Sequence, residues 1–337
     1  MDKRGKQNVL KRILAIRGMG QVITVTIGFI ILCIVFGLVN PIFFSGKNVA
    51  NLLRQIAPIL IIGIGQSYVL ITGNIDLSIG SVVGMSCMIS ATLMTKGVNP
   101  LIAILITICC CLAVGVLNGE LVSKCKLPPF IATLGTMTIA RGIAQIVNNN
   151  YNTGSIGEGA KGFRNFFYYG KTAGLYNAIW ITLAMWIVFN FILSKTRSGR
   201  HIYAIGSNID AARLSGVNVH STTIKAYLVS AICACTVGLM TCATTGMGTM
   251  DAGNSYEMYA VAASVIGGVS TLGGQGILLG TVIGASIWGV LQNGLQFAGA
   301  PVAIRNITIG IIVVVSVLLD VIVRTGKPRK KKMNPVT

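Results

Sequence analysis

The side chains that could do chemistry are few and widely spaced. The chain has 337 residues but only eight Asp and Glu residues and two histidines. The histidines, His201 and His220, lie in one polar stretch, and most of the carboxylates fall in loops or at the ends of apolar runs. A general acid and base, or a metal cluster, needs several such groups close together. We therefore expect no enzymatic activity, no metal site and no cofactor.

The cysteines and two glycine-rich stretches do not change this expectation. Cys109, Cys110 and Cys111 are consecutive within an apolar run and lack the paired spacing of a metal site, so we interpret them as packing residues. The stretch GEGAKG (157–162) fits a dinucleotide-binding pattern, but no strand precedes it. The stretch GKT (170–172) matches only the end of a phosphate-binding loop. The chain is therefore predicted to have no nucleotide site of its own.

Asp76 is different because it lies in a polar segment, GNIDLSIGS (73–81), between two apolar runs that carry almost no charge. A carboxylate that faces lipid costs about 3 kcal/mol on insertion scales. We therefore expect Asp76 to face a cavity, a cation or a helix N-terminus, where backbone amides and Ser78 would bind it. A structural cap and direct contact with a substrate are both open at this stage.

The elements that must position these residues are apolar. Hydrophobic residues make up 53% of the chain and charged residues 10%, against about 25% charged residues in soluble domains. Since a membrane-spanning helix needs about 20 apolar residues, we predict an all-α polytopic membrane protein with about ten spans, some of them broken or re-entrant. The predicted spans are 19–39, 55–72, 79–95, 101–122, 128–147, 177–194, 224–246, 258–270, 276–298 and 303–323.

The basic residues predict the orientation. An even number of spans puts both termini on one side, and residues 1–18 and 324–337 each carry six Lys or Arg residues. Both segments are therefore predicted to be cytoplasmic, together with 123–126 and the loop 195–223. The predicted organisation is a basic N-terminal segment (1–18), one transmembrane domain (19–323) and a basic tail (324–337).

A second polar break, IGGVSTLGGQGILLG (266–280), interrupts the late half of the chain. Glycine-interrupted helices expose backbone groups toward a cavity in transporters. The similar stretches VLNGEL (116–121) and VLQNGL (290–295) hint at an old internal duplication. Only Asp76, Arg141 and Arg305 are ionisable near membrane depth, which disfavours coupling to protons or sodium.

The loop GRHIYAIGSNIDAARLSG (199–216) is predicted to contain a short capped helix that ends at Gly216. It resembles the cytoplasmic loop of the permease subunits of bacterial ATP-binding-cassette importers, which carries Glu-Ala-Ala, three residues and Gly. Asp210 stands in the Glu position, and the Leu-Pro that often follows is absent. The resemblance implies that this helix docks onto an ATPase, through Asp210, Ala211, Ala212, Arg213 and Gly216.

More specifically, the chain resembles the ribose, xylose, arabinose and galactoside branch of these permeases. GNIDLSIGS, LPPFIATLGTMTIARG (127–142), the loop, VIGGVSTLGGQGILLGTVIGA (265–285) and VLQNGL occur in the order and approximate spacing of that family. The resemblance implies a type II-like importer fold and a bacterial cytoplasmic membrane. It also implies partners: a second permease subunit, identical or similar; a cytosolic ATPase, often with two fused cassettes; and an extracytoplasmic sugar-binding protein. Lipid surrounds the chain, and no nucleic acid is expected.

A monosaccharide path is the function that this resemblance implies, with ATP hydrolysed by the partner. The residues expected to line the path are Asn74, Asp76, Ser78, Thr133, Thr136, Ser270, Thr271 and Asn293. Hydrogen bonding between helices is the competing explanation for these side chains. Alternative substrates within the superfamily are nucleosides, a signalling furanone or branched-chain amino acids, and an ion-driven carrier is the alternative from another class.

Overall fold

The computed structural model describes residues 19–325, which are almost entirely helical. A short antiparallel hairpin, β1 (Lys171–Thr172) and β2 (Leu175–Tyr176), follows a π-helical turn at Asn165–Tyr169. Single 3₁₀ turns lie at Pro41–Phe44 and Glu158–Ala160. The α-helices are α1 (Met19–Val39), α2 (Gly46–Ile71), α3 (Ile79–Thr95), α4 (Pro100–Ser123), α5 (Pro129–Ile146), α6 (Lys161–Arg164), α7 (Asn177–Lys195), α8 (Arg197–Ser207), α9 (Ile209–Leu214), α10 (Val219–Thr245), α11 (Tyr256–Ile266), α12 (Leu278–Phe297) and α13 (Val302–Thr325).

Ten of the described helices overlap the ten predicted spans, which confirms an all-α polytopic membrane protein. Six of them, α1, α2, α4, α7, α10 and α12, are long and apolar enough to cross a membrane. Helices α3 and α11 are shorter and apolar. The predicted N-terminal segment 1–18 and all but the first two residues of the tail 324–337 lie outside the described residues.

Central helices are surrounded by helices that face outward. In α2, nearly every residue from Ile56 to Ile71 is buried, and α3 and most of α10 are buried too. Helices α1, α4 and α7 instead leave wide apolar faces exposed. In a membrane protein such exposed faces lie against lipid or another subunit. The buried helices α2, α3 and α10 form the core of the chain.

The first predicted break folds back into the core. Asp76 accepts a hydrogen bond from Ser230 of α10, and Ser230 also packs directly against Gly65 of α2. Gly65 lies six residues, about 9 Å of helix, before the end of α2 at Ile71. The segment 72–78 therefore returns from the end of α2 to the depth of Gly65, and α3 begins there rather than at the membrane surface.

The eighth predicted span, 258–270, matches the structure only in part. Helix α11 covers only 11 residues, and the chain before it, 246–255, is irregular. Gly246 ends α10 in a left-handed conformation (φ +69°), which glycine adopts without strain. The following chain descends along α3, with Gly248 against Ala91 and Gly253 against the Gly80 carbonyl. The irregular segment thus supplies the first part of this span, and the helix ends earlier than predicted.

The two halves of the fold repeat one arrangement in opposite directions. Each half consists of a long helix, a non-helical segment, a short helix and a long helix. In the first half these are α2, 72–78, α3 and α4, and in the second half α10, 246–255, α11 and α12. Helix α10 packs on α3 and α4, whereas α2 packs on α11 and α12. The similar stretches VLNGEL and VLQNGL occupy α4 and α12, which correspond in this repeat. Such inverted repeats are typical of transporters.

Candidate functional site

Asp76 binds Ser78, the residue directly before α3, and a neighbouring helix. Its Oδ1 accepts hydrogen bonds from the Ser78 backbone N–H (2.9 Å) and the Ser78 hydroxyl (2.6 Å). Its Oδ2 accepts one from the Ser230 hydroxyl of α10 (2.6 Å). Asp76 is only 3% exposed. The two carboxyl oxygens accept three hydrogen bonds, so this buried group is well satisfied. Of the two roles that the sequence left open, this favours a structural one, although Asp76 binds Ser78 before the helix and no N–H group of α3 itself.

The hydrogen bonds continue from Ser78 into two more helices. Asn118 of α4 donates its Nδ2–H to the Ser78 hydroxyl (2.9 Å), and its Oδ1 accepts from the Thr136 hydroxyl of α5 (2.6 Å). Thr133 lies one turn away, and its hydroxyl donates to the Pro129 carbonyl (2.8 Å). One buried polar chain therefore joins α10, the first break at the start of α3, α4 and α5. Ser230 and Asn118 are the members that the sequence did not identify.

The second break forms a tight loop between α11 and α12. The backbone N–H of Ser270 donates to the Gln275 carbonyl (3.0 Å), and the Ser270 hydroxyl accepts from the Leu272 N–H (3.1 Å). Ser270 is buried, whereas Thr271 is half-buried. Gly273 and Gly274 adopt left-handed conformations (φ +86° and +71°) that glycine tolerates.

The two breaks meet each other and the end of α8. The Gly274 N–H donates to the Ile71 carbonyl (2.8 Å), which joins the second break to the end of α2. A Cβ at Gly206 of α8 would overlap the same carbonyl, so α8 lies directly against both segments. Asn74 is half-buried at this junction, and its Nδ2–H donates to the Thr72 hydroxyl (2.8 Å). Sequence reasoning found the breaks but not their contact with α8, because that contact depends on Gly206, one glycine among 41.

Tyr203 joins α8 to the second break by a hydrogen bond. Its hydroxyl donates to the Gly276 carbonyl (2.6 Å). Burial raises the pKa of Tyr203 to about 12, because a phenolate would lose its hydration. The hydroxyl therefore stays protonated and remains a hydrogen-bond donor at physiological pH.

The predicted helix ended by Gly216 is confirmed as α9. Asn208 caps its start by accepting from the Ala211 N–H (2.9 Å). At its end the Val217 N–H donates to the Ala212 carbonyl and the Gly216 N–H donates to the Arg213 carbonyl, each at 3.0 Å. This is the pattern that a left-handed glycine closes, and Gly216 has φ +79°.

Helix α9 projects from the fold. Asp210, Ala211, Arg213 and Gly216 are exposed, and Ala212 is buried. Asp210 and Arg213 approach to 3.8 Å on the surface. Leu214 is 90% exposed, which is unusual for a leucine in a polar loop. The loop pattern did not single out Leu214.

Asn293 lies apart from the other predicted residues. It exchanges two amide hydrogen bonds with Asn48 at the start of α2 (3.0 and 3.2 Å), and both side chains are buried. The breaks lie at the other end of α2, about 35 Å away along the helix axis. The structure thus groups Asn74, Asp76, Ser78, Thr133, Thr136, Ser270 and Thr271 near the breaks and separates Asn293 from them.

Comparison with known proteins gives one consistent family. The model for the permease component of branched-chain amino acid transport systems matches residues 48–317. The ribose import permease protein RbsC of Bacillus subtilis is 34% identical over 305 residues, 90% of this chain and 94% of that protein. The D-allose transport system permease protein AlsC of Escherichia coli is 32% identical over 292 residues, 86% of this chain and 88% of that protein.

A further relative is the galactose/methyl galactoside import permease protein MglC of Haemophilus influenzae, 32% identical over 314 residues that cover 87% of this chain and 92% of that protein. No solved structure matches the chain. Family, fold and relatives agree with the resemblance that the motifs indicated. The chain belongs to the family of transport-system permease components that includes these import permeases.

Proposed function

We propose that this chain is the membrane-spanning permease subunit of an ATP-driven importer and forms the path of a monosaccharide, a ribose-like pentose or a hexose. The names of the relatives contain ribose, D-allose and galactose or methyl galactoside, which supports this class of substrate. The observation that carries the proposal is the continuous contact from the exposed helix α9, through α8, to both broken segments.

Helix α9 docks onto a cytosolic ATPase in this proposal. Asp210, Ala211, Arg213 and Gly216 form the exposed surface, together with Leu214. Helix α8 follows the movement of the ATPase because α9 joins it directly through Asn208. Gly206 and Tyr203 pass that movement to the breaks, through the Ile71 and Gly276 carbonyls. A small displacement of α8 would thereby shift α3 and α12 at the same time.

The path runs beside the breaks in this account. Asn74 and Thr271, which are half-buried, are the first groups of the breaks to meet the sugar. Ser78, Thr133, Thr136 and Ser270 are buried, so they contact the sugar only after α3 and the second break have moved. Asp76 is buried too, and its role is to hold Ser78 and Ser230 in place. Asn293 would act near the opposite face. Alternating access follows: ATP-driven closure opens one side, the sugar enters, and hydrolysis resets the subunit.

The partners follow from the same account. An extracytoplasmic binding protein delivers the sugar, and a second permease subunit, identical or similar, completes the assembly. The ATPase carries two fused cassettes. Both termini and residues 195–223 are cytoplasmic, so the chain forms one permease domain (19–323) between two basic segments, in the bacterial inner membrane.

Purification of the full chain from its native membrane in mild detergent tests the proposal. Mass spectrometry identifies what remains bound, and ATPase activity is measured with binding proteins loaded with ribose, allose, galactose or branched-chain amino acids. We expect a two-cassette ATPase that a sugar-loaded binding protein stimulates. Stimulation by an amino-acid-loaded protein alone would contradict the proposed substrate class, and purification without any ATPase would contradict the importer itself.

A further inference from the structure

One outward face of the fold carries charged side chains at membrane depth. Glu257, in the first turn of α11, lies against Gly80 of α3, because a Cβ added at Gly80 would overlap its carboxylate. Gly80 is 15 residues, about 22 Å of helix, before the end of α3 at Thr95. The hydrocarbon layer of a bilayer is about 30 Å thick. The half-buried carboxylate of Glu257 therefore lies well inside that layer.

Arg141 and Asp251 lie one turn of α3 nearer to its end. The Arg141 guanidinium packs against Gly84, and its Nη1 donates to the carbonyls of Met250 (2.7 Å) and Ala252 (2.9 Å). Asp251 stands between these two carbonyls in the chain. Its side chain is exposed, and Arg141 is half-buried.

We call Arg141, Asp251 and Glu257 the charged seam. Of the three, the sequence predicted only Arg141 near membrane depth, because the irregular segment 246–255 has no span pattern. Within the described part of the chain, neither carboxylate forms a salt bridge. A charged side chain that faces lipid costs about 3 kcal/mol on insertion scales. Protein or water must therefore cover the charged seam.

The other outward faces have a different composition. Helix α1 contains no charged residue. Helices α4 and α7 contain one each, Glu120 and Lys195, and both lie in the last turn of their helix. Lipid covers such apolar faces without cost, so the charged seam is the better candidate for a protein contact.

The charges of the seam favour an identical partner. Most interfaces between identical subunits have two-fold symmetry, which places the same patch on both sides. A patch of one sign would repel itself. The seam carries one cation, Arg141, and two anions, Asp251 and Glu257, so the cation of each copy can face the carboxylates of the other.

Helix α5 leaves room for a partner beside the seam. Gly135 and Gly142 lie two turns apart on one face of α5, and a Cβ added at either would meet no atom within 4 Å. Thr138, between them, is exposed. Small residues let membrane helices approach closely, so a helix of the partner can pack on α5 next to Arg141.

We infer that the charged seam, with the exposed face of α5 beside it, is the surface on which a second copy of this chain packs. The inference rests on the proposed function, which calls for a second permease subunit, identical or similar, and leaves open which face it meets. The two copies together cover the charges that a single chain exposes to the bilayer.

The test is photo-crosslinking of the full chain within its assembled importer in native membranes, with two differently tagged forms expressed together. A photoreactive benzophenone amino acid is placed at Met258, which adjoins Glu257 and is 48% exposed, or at Thr138. The matched controls are Leu105 of α4 and Ile187 of α7, which are 63% and 53% exposed.

We expect crosslinked pairs of this chain to form severalfold more from Met258 and Thr138 than from either control. Pairs from Leu105 or Ile187 alone would overturn the inference. So would lipid adducts alone at Met258, no adduct there at all, or crosslinks from Met258 to a different permease chain.

A charge reversal tests the self-complementarity of the seam. Asp251→Arg replaces one of the two carboxylates with a second cation, and Glu158→Arg makes the same change in an exposed loop. Native mass spectrometry of the purified chain should show a severalfold smaller dimer fraction for Asp251→Arg alone. Melting temperatures verify that both variants fold, and equal dimer fractions in folded protein would contradict the inference.

Sugar uptake by the assembled importer separates the two proposals. If the wild type takes up sugar with ATP while the crosslinks place its partner on another face, the inference fails and the proposed function stands. If the wild type takes up no sugar, the proposed function fails on its own evidence, and the crosslinks still decide which face pairs.

Discussion

Asp76 shows how one polar side chain can hold a membrane helix that starts below the surface. Helix α3 begins inside the core at Ile79, directly after Ser78. Asp76 binds the Ser78 N–H and hydroxyl and, through Ser230, ties α3 to α10. Its role in this account is structural, and its effect on transport is indirect.

The variant Asp76→Asn should therefore lower stability. The amide replaces one acceptor oxygen with a donor that faces another donor, so we expect a loss of about 2 kcal/mol in the free energy of unfolding. A thermal melt of the full chain in detergent measures it. The control is Asp210→Asn, whose side chain is 80% exposed and pairs only at the surface, with an expected change below about 0.5 kcal/mol.

Transport by the same variant separates a structural role of Asp76 from a substrate contact. A structural role predicts uptake that falls with the amount of folded protein while the KM for sugar stays constant. A raised KM at full folding would instead make Asp76 a binding residue. Unchanged stability in Asp76→Asn would contradict the structural role.

Local chemistry around Asp76 could be predicted from the sequence, but its distant partners could not. The spacing of Asp76 and Ser78 predicted a carboxyl group bound at a helix end, and the structure has that bond. Ser230 lies 154 residues further along the chain, in a run that has the pattern of an ordinary apolar span. Asn118 of α4 could not be identified either, because nothing in the neighbouring sequence distinguishes a residue that forms these hydrogen bonds from one that only packs.

Helices α8 and α9 form the element that connects the exposed surface to the broken segments. The sequence predicted the helix ended by Gly216, because capping residues and a terminal glycine are local signals. It did not predict that the irregular segment 246–255 packs on α3 through Gly248 and Gly253, because hydropathy detects only apolar runs such as 258–270.

Gly216→Val should weaken attachment of the ATPase. A β-branched residue is strained at φ +79°, so the end of α9 unwinds and its exposed surface is lost. Gly157→Val is a matched control, since Gly157 has φ +74°, and a Cβ added at either glycine would meet no atom within 4 Å. Co-purification of the ATPase should fall severalfold for Gly216→Val alone; equal recovery with both variants would remove α9 from the docking surface.

Tyr203→Phe should loosen the link between α8 and the second break while leaving α9 intact. The variant removes one hydrogen bond, to the Gly276 carbonyl, worth about 1 kcal/mol. We expect the ATPase to remain bound and its stimulation by the sugar-loaded binding protein to decrease severalfold. Because the pKa of Tyr203 is raised to about 12, the wild-type stimulation should owe no pH dependence to this group between pH 6 and 9.

Tyr151→Phe is the control for that measurement, because Tyr151 lies at the other end of the fold with its side chain 73% exposed. Full stimulation in Tyr203→Phe would mean that α8 transmits the movement through backbone contacts at Gly206 alone.

At the scale of the whole molecule, the inverted repeat places the breaks, the coupling helices and the link between α4 and α5 on one face. Composition and charge were enough to predict a polytopic helical protein, since the hydropathy of a segment indicates directly whether lipid or water surrounds it. The reciprocal packing of α2 and α10 could not be predicted, because the sequence similarity between the halves is confined to VLNGEL and VLQNGL.

The orientation of that face can be tested with a native cysteine. Cys125 lies in the α4–α5 link and is exposed, and the basic residues around it predict a cytoplasmic position. A membrane-impermeant maleimide should label it in inside-out vesicles and not in right-side-out ones. Cys125→Ser identifies the signal, and Glu158→Cys, on the opposite face, should show the reverse pattern. Labelling of Cys125 from outside would invert the topology.

The most direct test of the importer is sugar uptake by vesicles that contain the chain with its ATPase and binding protein. The account predicts accumulation of a monosaccharide that requires ATP and the loaded binding protein and persists when proton and sodium gradients are abolished. Uptake by the chain alone, driven by an ion gradient and indifferent to ATP, would contradict it.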